Sequence, residues 1–275
     1  MNLIQDLIRY EYLRSAYLVG ILFGIIAPII GVYIVSRRLS VITEAISHNT
    51  IGGISFGMYL AKIYSVTISP IIFGVIFAIS SSLIVQKIRE SYTNYKDVAI
   101  PIIMSLGLSL SLIFTSLAGG FNTDFNSLLF GTILTSTMQD VYLLGGILIF
   151  ILISYKLFYN KIVALSIDEN YCKYIGINSK KINYIFIIVI AVIISLGVRI
   201  MGALLISSLI VIPVSTALKL SNSYKGVVII SMIISLFSII LGMTLSYYLN
   251  IPSGATIVLV NVIVFGLTLL RKGIE

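Results

Sequence analysis

Charge is what this sequence has least of. Only 10% of its 275 residues are Asp, Glu, Lys or Arg, 59% are hydrophobic, and the mean hydropathy is +1.11. Soluble domains carry roughly a quarter charged residues. A chain this poor in charge cannot cover its own surface in water, so most of it must face lipid. There is a single cysteine, Cys172, which excludes a disulfide within the chain and a thiolate metal cluster. It reads as a small packed residue, because thiolate chemistry needs activating neighbours. Trp is absent, and 17 Tyr and 13 Phe are left to serve the membrane interfaces. No GxxxxGK(S/T) phosphate loop occurs, so the chain does not hydrolyse ATP by itself. Ser47 beside His48 is not a nucleophile–base arrangement, since neighbours on a helix point in different directions. The first fifteen residues mix Asp6 and Glu11 with Arg9 and Arg14, and no small-residue cleavage site follows the first apolar run. That pattern argues against a cleaved signal peptide.

What is present is a series of apolar runs. A spanning helix needs about 20 mostly apolar residues. On that ruler candidate spans fall near 16–36, 43–64, 66–86, 98–118, 140–158, 181–198, 200–219, 226–249 and 253–271. The expectation is an all-α, polytopic transmembrane helical bundle of about 8–9 spans, forming one transmembrane domain over 1–275. Eight spans apply if the short connection from Gly197 to Gly202 is not a true hairpin.

The net charge of +8 does not indicate nucleic acid, because the basic residues recur between apolar runs rather than on one segment. One set of loops and the C-terminal tail holds fourteen of the 18 Lys and Arg, including Arg37, Arg38, Lys87, Lys161, Lys180, Lys181, Arg271 and Lys272. The alternate set holds four: Arg9, Arg14, Lys62 and Arg199. Positive charge collects in the cytoplasm, so the first set is assigned inside and, with nine spans, the N-terminus outside. Arg199 is expected at the outer interface.

Two loops stand out. The outer stretch Gly119 to Asp140 contains Asp124 and Asp140 but no Lys or Arg, and its core "SLLFGTIL" suits a short helix. It is either a connector folded onto the protein or a docking surface. The inner stretch "KIVALSIDENYCKYIGINSKK" offers Asp168 as a helix N-cap and Gly176 just past the end. Ile167, Tyr171 and Tyr174 or Ile175 follow helical spacing between them. That apolar stripe either folds back on its own bundle or enters a groove on another protein.

Ionisable side chains in hydrocarbon cost about 2.5–3.5 kcal/mol each on insertion scales, so each needs a reason. The clear case is "VITEAISHNTIGG", with Glu44 and the only histidine, His48. Four residues apart, they share one helix face. Counted from Arg38 at about 1.5 Å per residue, His48 lies about 15 Å deep, near mid-bilayer. A carboxylate and an imidazole form half of a first-row transition-metal site, which a second copy or water would complete. The alternative is a buried polar pair that aligns helices. Gly20 with Gly24 and Gly53 with Gly57 are pairs that let helices approach closely. Pro213 should kink its span, in a static or a gating role.

Four ordered segments resemble the membrane permeases of ABC transporters that import zinc, manganese or iron, the ABC-3 family. They are "GVYIVSRRLSVITEAISHNTIGG", "KDVAIPIIMSLGLSL", "MGALLISSLIVIPVSTA" and "LSYYLNIPSGATIVL". The resemblance implies a bacterial plasma-membrane, multi-pass subunit that is not itself an enzyme. It implies a divalent transition metal as cargo and no cofactor in the chain. Its partners would be a second copy, cytoplasmic ATP-binding subunits that hold the ATP, and an extracellular metal-binding protein. It implies that Glu44 and His48 contact the metal. It also implies that a cytoplasmic coupling helix at about 168–176 docks into the ATPase through Asp168, Glu169, Tyr171, Lys173, Tyr174 and Gly176. The sequence departs from the family pattern at Glu44, where Asp is usual, and at Asn49, Thr132 and Pro101, which leaves the metal's identity open. A permease for a chelate or vitamin, or an intramembrane enzyme or receptor without an ATPase, are the rival readings.

Overall fold

The computed structural model describes residues 3–64, 69–92, 98–119, 123–131, 133–167, 172 and 178–272. Among them every regular element is helical. In chain order these are α1 (Leu3–Arg9), α2 (Glu11–Ser36), α3 (Ile42–Tyr64), α4 (Pro70–Ser91), α5 (Ala99–Ala118), α6 (Thr123–Phe130), a 3-10 turn (Ile133–Thr135), α7 (Met138–Ile167), α8 (Ser179–Met201), α9 (Ala203–Leu220), α10 (Tyr224–Leu249) and α11 (Ser253–Lys272). Nine of these helices are between 18 and 30 residues long. A helix is what such segments must form in lipid, where each backbone N–H and C=O has to be paired within its own segment.

The nine long helices coincide with the nine apolar runs. Eight qualify as membrane spans by length and composition. The ninth is α3, whose hydropathy is lowered by Thr43, Glu44, Ser47, His48, Asn49, Thr50 and Ser55. The break between α8 and α9 is one residue wide. Helix α8 runs through Gly197 to Met201, and Gly202 stops it with a φ of 84°, a conformation that glycine adopts without a Cβ penalty. Arg199 is exposed in the last turn of α8. The apolar core of the 119–140 stretch does form a short helix, α6, followed by the 3-10 turn. Prolines mark helix starts at Pro70 and Pro252, and Pro101 lies in the first turn of α5, where its missing N–H removes no helical bond. Pro28 and Pro213 lie inside α2 and α9.

The chain divides into two compact units. The first comprises Met1–Arg38, Phe130–Ile177 and Leu204–Glu275. In it α10 packs against α2 and α11, and α7 packs against α2. Gly20 and Gly24 of α2 lie against Ile239 of α10, and Gly242 of α10 lies against the backbone of Ile257 in α11. Side chains tie the unit at several levels. Ser15 Oγ donates to the Ser136 carbonyl at 2.6 Å, Arg37 Nη1 donates to the Leu165 carbonyl at 2.9 Å, and the Tyr247 hydroxyl donates to Asp6.

The second unit comprises Leu39–Leu129 and Asn178–Ala203. Helix α3 is its centre, packed against α4 on one side and α5 on the other, with α8 against α4 and part of α3.

Candidate functional site: the polar face of α3

Three glycines let α4 come close to α3. A Cβ on Gly53 would run into the Phe73 carbonyl, one on Gly57 would meet Pro70, and one on Gly74 of α4 would come 2.8 Å from Ile54. Phe56 closes this seam, with its ring 5.5 Å from Phe73 and 4.9 Å from Phe114 of α5. The α3–α5 seam is polar. Asn49, 2% exposed, donates one amide hydrogen to the Ala45 carbonyl of its own helix and the other to the Ile103 carbonyl of α5, both at 2.8 Å. Its side chain sits in a notch left by Gly107, where a Cβ would lie 2.7 Å from both the Asn49 backbone nitrogen and Nδ2. Farther along, Ser55 and Thr115 share a hydrogen bond of 3.0 Å. Beyond it Lys62 Nζ reaches the Leu117 carbonyl in the last turn of α5 at 3.4 Å, where a cation favours the helix dipole.

Away from Gly53 and Gly57 on the α4 side and Asn49 and Gly52 on the α5 side, α3 carries Glu44, Ser47, Ile51 and Met58, of which Ser47 and Ile51 are buried, and His48 lies within about 20° of Ser55, which bonds to α5. Glu44 and His48 are about 40° apart around the axis at 3.6 residues per turn. Glu44 is exposed and His48 half-buried. The two interact electrostatically. His48 Nδ1 is buried with no hydrogen-bond partner, and so is Ser47 Oγ. The imidazole is therefore not committed to a structural bond at that nitrogen. Among the described residues no group of three His, Cys, Asp or Glu side chains comes together, so Glu44 and His48 gain no third such ligand there.

The helical distance counted from Arg38 to His48 needs correction. The chain is not helical from Arg38 onward. Arg38 takes a φ of 56°, and α3 begins only at Ile42. Glu44 therefore lies in the first turn, and His48 about 9 Å along the helix from its start at 1.5 Å per residue, rather than 15 Å. A carboxylate in a first turn is favoured by the positive end of the helix dipole.

Asp168, Glu169, Tyr171, Lys173, Tyr174 and Gly176, and with them the expected coupling helix, lie outside the described residues, as does Thr132. Cys172 is helical and buried. Asn49 had no role in the sequence reading beyond being an unusual residue. That it follows Glu44 and His48 on a different azimuth was visible, but its partner on α5 was not.

A model of the ABC 3 transport family matches residues 9–272. The chain belongs to that family. Members similar to it include a probable metal transport system membrane protein of Treponema pallidum, 27% identical over 96% of each chain. The manganese transport system membrane protein MntC of Listeria monocytogenes is also 27% identical, over 96% of this chain and 92% of its own. Among solved structures, PsaBC from Streptococcus pneumoniae in complex with Fab matches with a TM-score of 0.84 at 26% identity, covering 97% of this chain and 94% of that one. The family match spans α2 through α11, so the polar face of α3 and both units belong to one family architecture of membrane permeases.

Proposed function

We propose that this chain is the membrane permease of an ATP-driven importer of a divalent transition-metal ion, and that Glu44 and His48 contact the ion in transit. The observation that carries the reading is a carboxylate and an imidazole four residues apart on α3, the carboxylate exposed, the imidazole half-buried and its Nδ1 without a hydrogen-bond partner. The names of similar proteins, which speak of metal and manganese transport, support the cargo class.

Several consequences follow from chemistry. Two ligands do not fill a tetrahedral or octahedral shell. A second copy would bring another Glu44 and another His48, giving four ligands about a two-fold axis. Carboxylate and imidazole together suit manganese, iron and zinc. The chain has no phosphate loop, so ATP is bound by separate cytoplasmic subunits, which engage the permease through the stretch around Asp168 to Gly176. An extracellular metal-binding protein hands the ion to the outer face.

The test is uptake of radiolabelled manganese by the permease reconstituted with its ATPase subunits. His48→Leu and Glu44→Gln should each abolish uptake while co-purification with the ATPase and its basal hydrolysis persist. Undiminished uptake in either variant removes that residue from the ion's path. Transport of a labelled chelate such as cobalamin, or failure to purify with any nucleotide-binding subunit, would overturn the assignment of cargo or of class.

A further inference from the structure

The first unit contains a second polar locus, independent of Glu44 and His48. Asn261 of α11 is 0% exposed, and neither its Nδ2 nor its Oδ1 has a hydrogen-bond partner. It stands in the run "VLVNVIVF", surrounded along the chain by branched apolar residues. Ser235 and Ser238 of α10 are likewise 0% exposed, with hydroxyls that lack partners.

Helix geometry brings Asn261 and Ser238 to one level of the seam between α10 and α11. Helices α10 and α11 are joined by the short turn at Asn250, Ile251 and Pro252, so they run antiparallel. Their backbones nearly touch where a Cβ on Gly242 would lie 2.7 Å from Ile257 Cα. One helical turn along each helix from that contact pairs Ser238 with Asn261. Asn261 shares the buried stripe of α11 with Ile257, Val260 and Thr256, so it lies in the seam. Ser235 sits a further turn along, where α2 joins. A Cβ on Gly24 of α2 would be 3.5 Å from its hydroxyl, and glycine at that position leaves the hydroxyl uncovered by a side chain.

We propose that the seam between α10 and α11, with Ser235 on the α2 side of α10, is a buried water-binding site built by Asn261, Ser238 and Ser235. A carboxamide offers two donors and an acceptor, and a hydroxyl offers one donor and an acceptor. Lipid supplies no partner for any of them. A polar site of this kind is where buried water is found, typically making about three hydrogen bonds. The donor set contains no carboxylate and no base, so the ligand it fits is neutral, and one that both donates and accepts. A dry seam would leave four polar atoms uncompensated. A bridging water also lets α10 and α11 shift against each other by exchanging partners, which direct side-chain bonds across a tight glycine contact would resist.

The experiment is a cryo-electron microscopy map of the full permease with its ATPase subunits in lipid nanodiscs, at a resolution that shows ordered water. Density is expected within hydrogen-bond distance of the Asn261 amide and of at least one of the two serine hydroxyls. An empty space, or an Asn261 amide bonded directly to protein groups, overturns the proposal. A double-variant cycle of Asn261→Leu and Ser238→Ala, read by thermal melting of the same complex, gives a second measure. A shared water makes the shift of the double variant smaller than the sum of the single shifts, and additive shifts count against it. Stabilisation of the parent protein by sodium chloride over choline chloride, lost in Asn261→Leu, would assign the site to a cation and also overturn it.

Discussion

Gly107→Ala isolates the fit between α3 and α5. A new methyl there would lie 2.7 Å from the Asn49 backbone nitrogen and Nδ2 and 2.8 Å from its Cγ. Carbon contacts are comfortable at about 3.5–4.0 Å, so the helices must separate by about 1 Å or Asn49 must leave. A side chain can swing aside, but the backbone nitrogen of a helix cannot. Overpacking of this kind costs about 1–3 kcal/mol. Losing the bond from Asn49 to Ile103 adds about 0.6 kcal/mol, the average for polar contacts within membranes. The gain in helix propensity from Gly to Ala returns about 1 kcal/mol. The net expectation is a loss of about 1–2 kcal/mol. Gly145→Ala in α7 is the matched control, since a Cβ there meets nothing within 4 Å. It should be neutral or stabilising. The assay is thermal unfolding of the purified permease in lipid nanodiscs, with manganese uptake measured in parallel. Asn49→Ala combined with Gly107→Ala should remain destabilised, because the backbone contact persists. If Gly107→Ala melts as high as Gly145→Ala, the close approach of α3 and α5 is refuted.

Two further outcomes follow from the same geometry. Ser55→Ala and Thr115→Ala should each destabilise the second unit, and a double-mutant cycle on melting should return a coupling of about 0.6 kcal/mol, the scale of hydrogen bonds between membrane helices. Arg37→Met removes the donor that holds the Leu165 carbonyl near the end of α7. The expected result is normal expression but less metal moved per ATP hydrolysed, because α7 leads directly into the stretch proposed to dock the ATPase.

The positions of the helices were written in composition. Runs of about 20 apolar residues allow only helices in lipid, so nine runs and nine long helices coincide, although α4 starts at Pro70 rather than near 66 and α8 runs on to Gly202 rather than stopping near 198. Glu44 and His48 were legible for a related reason. An ionisable pair four apart in an apolar chain draws attention wherever it sits. Asn261 carries no charge and so leaves no such mark in the sequence, although it is 0% exposed and its amide has no partner among the described residues. The helical count from Arg38 to His48 was too long because the turn at Arg38, a non-glycine residue at φ 56°, leaves no mark in hydropathy.

Which side of α3 meets which neighbour was not in the sequence. Periodicity places Glu44 and His48 on a common face, but α3 is polar or glycine-lined on nearly every azimuth, and any of its faces could have been the packed one. The choice rests on contacts between residues far apart in the chain, Asn49 with Ile103 and Gly107, Gly53 with Phe73, and Ser55 with Thr115. Local sequence fixes which residues share an azimuth, through the geometry of one helix. Which azimuth meets which neighbour depends on where α4, α5 and α8 settle, and only the packed structure decides that.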